Sequence, residues 1–160
     1  MPFSYTVQRA ATTNGTANTC SAHVRLLTAA NQQNCYVTQI MCAVRNSTTV
    51  GSGILSVATL AGTGTAGGTS YTPNKQNPNN RAADTTAFTD ATSFTAMPAV
   101  TRVFSIGFAQ SGGQNTWVAL ERDNAMILLP NAGANGNLSL ESFTATVSQS
   151  LDISAQFLEG

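Results

Sequence analysis

Charge is scarce in this sequence. Its 160 residues hold seven Lys and Arg against seven Asp and Glu, 9% in all and a net charge of zero, where soluble domains carry about 25%. A protein that works by neutralising phosphates needs a basic excess, so nucleic acid is not expected as a partner. Histidine occurs once, at His23. A Ser or Cys nucleophile therefore has a single candidate base, within Cys20-Ser21-Ala22-His23-Val24-Arg25-Leu26. If that segment is a strand, His23 shares a face with Arg25, opposite Val24 and Leu26, and reads as a solvent-facing or interface side chain. Long apolar runs are also missing. The longest near-continuous one, Ala125 to Leu129, falls far short of the roughly 20 residues of a membrane-spanning helix, and no membrane partner is expected. Met1-Pro2-Phe3-Ser4-Tyr5 has neither the basic start nor the apolar stretch of a secretion signal, so the expectation is a soluble protein made in the cytoplasm. Cys20, Cys35 and Cys42 are odd in number and form no Cys-x-x-Cys pair; they read as buried reduced thiols.

What the chain does have is neutral polarity: 23 Thr, 14 Asn and 14 Ser, residues that suit strand faces and turns better than helices. Period-two alternation recurs along it. Phe3, Tyr5 and Val7 alternate with Ser4, Thr6 and Gln8; Tyr36, Ile40, Cys42 and Val44 are expected on one face, opposite Gln39 and Arg45. Further strands are expected over Ile54 to Leu60, Val100 to Ala109, Thr116 to Leu120, Ala125 to Leu129, Leu138 to Leu140 and Leu151 to Phe157. Gly- and Asn-rich turns separate them. About eight close-spaced strands with no crossover helix predict an all-β chain. The expected architecture is one antiparallel, jelly-roll-like β-sandwich domain over residues 1–160.

Residues 62–99 break the rhythm with Gly-Thr and Asn-Pro clusters and with Pro73, Pro78 and Pro98. A Gly/Pro/Asn-rich loop of that length is uncommon in a small domain and tends to carry function. Within it, Gly62-Thr63-Gly64-Thr65-Ala66-Gly67 fits Gly-x-Gly-x-x-Gly. The following Gly68-Thr69-Ser70-Tyr71-Thr72-Pro73 cannot begin the helix that a dinucleotide site needs, so no cofactor is expected. The carboxylates are scattered. Their one local group, Glu121-Arg122-Asp123-Asn124, reads as a salt-bridged hairpin turn rather than a calcium loop, and Glu141 with Asp152 has no motif behind it as a glycosidase pair. No metal and no enzymatic activity are expected.

The block from Gly67 to Ala83, with its glycine pair, Thr72-Pro73 step, Lys75 and Ala82-Ala83, resembles a recurring loop of small virion proteins of tailed bacteriophages. The Phe104-to-Phe108 strand, Trp117, the acidic turn, Ile127-Leu128-Leu129-Pro130 and the closing Phe157-Leu158-Glu159 extend the likeness over residues 35–160. Asn and Thr dilute the usual Pro and Ala content. The resemblance implies a capsid decoration or cement protein of the virion, assembled in the host cytoplasm. Such a module binds the major capsid protein of the finished head shell or other virion proteins, bridges capsomers, and self-associates, a homotrimer being the symmetric expectation. Binding only the assembled lattice stabilises it by mass action, multiplied over many copies. Gly67, Gly68, Thr72, Pro73, Lys75, Pro78 and Arg81 are the expected partner contacts, with Lys75 and Arg81 facing acidic groups. The competing expectation is a carbohydrate- or receptor-binding module of a phage fibre or adhesin, with Trp117 beside Asn115 and Asn124 as its platform.

Overall fold

The computed structural model describes residues 2–13, 21–28, 33–45, 52–60, 69–89, 100–109, 113–121, 125–128, 137–144 and 150–160. Among them there is no helix, and every strand pairing is antiparallel. The strands are β1 (Phe3–Thr13), β2 (Ser21–Leu27), β3 (Cys35–Val44), β4 (Ser52–Leu60), β5 (Thr69–Tyr71), β6 (Asn74–Lys75), β7 (Thr86–Thr89), β8 (Val100–Ala109), β9 (Gln114–Val118), β10 (Met126–Leu128), β11 (Asn137–Thr144) and β12 (Ser150–Glu159). They form two six-stranded sheets. The first runs β10-β3-β12-β1-β6, with β9 pairing β3 on the same side as β10 but further along the strand; the second runs β5-β7-β2-β11-β4-β8.

Alternation explains how the two sheets share a core. β12 buries Leu151, Ile153, Ala155 and Phe157 while the residues between them stay half-exposed. β1 does the same with Tyr5 and Val7, and β2 and β11 contribute Val24, Leu26, Leu138 and Leu140 from the second sheet. All belong to one hydrophobic cluster. Within it the Tyr5 and Phe157 rings stack with centroids 5.4 Å apart, and the Tyr5 hydroxyl donates to the Arg81 carbonyl at 3.1 Å, so the ring buries its area without stranding its polar tip.

One face assignment is corrected. Ile40, Cys42 and Val44 point inward as expected, but Tyr36 is half-exposed and its neighbours Cys35 and Val37 are buried instead. The cause is a β-bulge. Gln39 pairs Gln156 and Val37 pairs Phe157, leaving Thr38 as an extra residue that reverses the parity of everything before it. His23 sits in a similar place, the extra residue between Ala22, opposite Glu141, and Val24, opposite Leu140. The 116–120 segment is also less buried than its composition predicts: only Trp117 packs partly against the core, and Val118 and Leu120 are exposed.

Cys35 and Cys42 are buried free thiols, whereas Cys20 lies outside the described residues. Burial pushes both up, Cys42 to about 12 with the nearby Asp152 charge adding to the effect. The folded chain thus keeps protons that the unfolded chain releases above the ordinary thiol value of about 8.5. The stability this contributes is whole below that pH and is lost as pH rises toward about 12. Urea unfolding midpoints should therefore fall above about pH 9, and fall less steeply in Cys42→Ala. Phe157→Ala, which removes a fully buried ring from the cluster, should cost about 3–5 kcal/mol in the same assay at neutral pH.

Candidate functional site

The segment expected to be a loop over 62–99 is, in its described part, a strap built of short strands. β5 and β7 pair with each other, and β7 pairs β2, extending the second sheet. The chain then crosses at Thr72-Pro73, with Pro73 buried, and β6 pairs Lys75 with Tyr5 and Asn74 with Thr6 at the edge of the first sheet. A buried crossing point suits proline, which has no N–H to leave unsatisfied. Gly67 and Gly68, the Gly62 to Gly67 motif and Pro98 lie outside the described residues. The strap thus has a packing role that its composition hides.

Its tip is held by backbone chemistry. The Gln76 N–H and the Asn80 side-chain amide both donate to the Ser4 carbonyl, at 3.1 and 3.0 Å. The Asn80 N–H donates to the Asn77 carbonyl and the Asn79 N–H to Asn77 Oδ1, both at 3.0 Å, a turn that asparagine favours through its own side chain. From Asn74 to Asn79 every residue is exposed: Asn74, Lys75, Gln76, Asn77, Pro78 and Asn79.

Where the strap returns, it meets an unusual residue. Glu159 continues the inward alternation of β12 and is 0% exposed. Its carboxylate accepts the backbone N–H groups of Thr85 at 2.7 Å and Asp84 at 3.0 Å, and Arg81 Nη2 stands 3.6 Å away. Arg81 also binds Asp84 Oδ2 at 2.5 Å, donates to Gln33 Oε1 at 3.0 Å, and lies 5.4 Å from the centre of the Phe3 ring. Arg81, expected to face acidic groups of a partner, pairs within its own chain with Asp84 and Glu159. Lys75 remains exposed.

Ser70, Tyr71, Thr72, Ala83, Thr85 and Thr86 line a half-open cleft of about 160 Å³ within the strap. The buried hydroxyls of Tyr71 and Thr85 make no hydrogen bond of good geometry there, and the hydroxyl-rich lining suits ordered water. Among the described residues no cluster of three His, Cys, Asp or Glu could hold a metal ion. Trp117 packs partly on the core, and the Asn115 side-chain amide donates to the Gly107 carbonyl; Asn124 and the rest of the expected acidic turn after Glu121 lie outside the described residues.

No family model, curated protein or solved structure matches this chain. What the site can do therefore rests on its own geometry: a short sheet edge, an internally paired charge cluster, and a hydrogen-bonded, exposed, amide-rich tip.

Sequence reasoning missed Glu159, although a signal was present. Extending the Leu151, Ile153, Ala155, Phe157 alternation by one step puts a carboxylate on the core face, where it requires donors. Glu159→Gln, which replaces one acceptor oxygen with a donor facing a backbone N–H, should cost about 2–4 kcal/mol. Hydrogen exchange at the Asp84 and Thr85 amides should accelerate more than in β3. Equal acceleration in both places would mean that the carboxylate does not hold the strap.

Proposed function

We propose that this chain is a bacteriophage virion protein: a jelly-roll module that decorates the assembled head shell, bridges capsomers and self-associates on it. The fold part of this reading is supported by nested pairing. Setting aside the strap strands and counting β9 and β10 as one, the first long strand pairs the last (β1 with β12). The second pairs the seventh (β2 with β11), the third the sixth (β3 with β9 and β10), and the fourth the fifth (β4 with β8). Such a ribbon, rolled so that β12 also meets β3 and β11 meets β4, is the pairing expected of a jelly roll, and it supports that reading. The two sheets would then face each other as a sandwich across the shared core.

The observation that carries the functional reading is the strap tip. Function on a common fold resides in grafted surfaces, and here consecutive exposed residues stand on a segment tied down on both sides. Gln76, Asn77 and Asn79 offer amide donors and acceptors that hydrogen-bond to a neighbouring shell without a desolvated charge, and Pro78 lowers the entropy lost on contact. Binding the lattice and not its free subunits shifts assembly toward the lattice. The glycan platform has less support, because Trp117 is half taken up by the core and Asn115 by Gly107.

The test keeps the turn-forming Asn77 and Asn80 and changes only exposed tip side chains, Gln76→Ala with Asn79→Ala. Purified particles decorated with this variant should show at least about tenfold weaker occupancy, with an unchanged circular dichroism spectrum and heads less resistant to heat. Full occupancy at parental concentration with unchanged heat resistance would remove the tip as the binding element.

A further inference from the structure

Large apolar side chains stand exposed at three of the described positions, all at one edge of the first sheet: Val118 at 52%, Ile127 at 47% and Leu120 at 90%. Register places Val118 opposite Gln39 and Ile127 opposite Tyr36, and Tyr36 is in turn opposite Leu158. Ile127, Tyr36 and Leu158 therefore form a row across β10, β3 and β12 on the face turned away from the core. Single exposed apolar residues are ordinary; a cluster confined to one edge marks a contact surface.

The two ends of this sheet differ. The β9–β10 edge bears the apolar cluster and, next to Leu120, the exposed acidic side chain of Glu121. The β6 edge lies four strand spacings away, about 19 Å at ~4.8 Å each, and bears the exposed, singly positive Asn74–Asn79 tip with Lys75. We propose that the occupant of the apolar edge is a second copy of this chain, seated head to tail: Leu120 buries against the strap side of the next copy, and Lys75 of that copy faces Glu121. The opposite signs select this pairing over edge-to-like-edge contact, which would set Glu121 against Glu121. A contact between unlike edges propagates, and it closes into a ring where the rotation between copies permits, a trimer being one such closure. The inference rests on the self-association in the proposed function and assigns its surface.

Sedimentation velocity of the full chain at micromolar concentration tests it. The parent should associate, and Leu120→Asp, at a site too exposed to matter for folding, should sediment as one chain with an unchanged circular dichroism spectrum. Lys75→Glu and Glu121→Lys should each weaken association about tenfold, and the double variant should recover most of the loss. A monomeric parent would overturn both this surface and the self-association it serves. A parent that associates regardless of Leu120→Asp would overturn the surface alone, leaving self-association to another face. Charge reversals whose effects add instead of cancelling would overturn the head-to-tail pairing.

Discussion

A carboxylate inside a protein must find donors, and Glu159 organises one side of this molecule by that requirement. Its position is set by β12, whose pairing with β1 and β3 leaves no freedom to turn the side chain outward without reversing the whole apolar face. The donors come from Asp84 and Thr85, far away in sequence, and the balancing cation from Arg81. The strap must therefore return to this point. The same segment supplies β6 and β7, which extend the first and second sheets at the side where the carboxylate lies.

That arrangement makes the ends of the first sheet physically unlike. At the β6 end, the edge is short, carries Lys75 and is bordered by an amide-rich turn, features that keep a sheet edge from indiscriminate strand pairing. At the β9–β10 end no comparable strap is seen among the described residues, and apolar side chains face outward. A single copy with one polar, closed edge and one apolar, open edge has a direction. The Arg45–Asp152 pair, half in solvent at 2.7 Å, is a contrasting case: geometrically good, but worth little in water.

The sequence made the sheets legible wherever alternation ran uninterrupted, as in β1, β12 and the later half of β3. It misled where backbone geometry intervened. The bulge at Thr38 reversed Tyr36, and no residue type announces a bulge of that kind. The strap strands were hidden for a different reason. β5, β6 and β7 are two to four residues long and rich in Thr and Asn, so periodicity has too few positions to register, while Pro73 and Pro78 read as loop. The intramolecular pairs of Arg81 were not legible because its partners lie 3 and 78 residues away, and only the fold brings the second one near.

The near absence of net charge takes on a sharper sense beside this geometry. Arg81, Asp84 and Glu159 are spent on one another, and Arg45 and Asp152 on each other. Five of the fourteen charged side chains thus pair with one another within the chain, and the strap tip left to contact is, apart from Lys75, largely amide. Such groups exchange hydrogen bonds with water for hydrogen bonds with a partner at little net gain, about 0.5–1.5 kcal/mol each. A contact made of them is weak singly, insensitive to salt, and strong only when many copies are held in register. In the proposed role the rigid strap serves that end, since a tip already ordered by Ser4, Asn77 and Asn80 loses little entropy on contact, and even weak amide bonds then count in full.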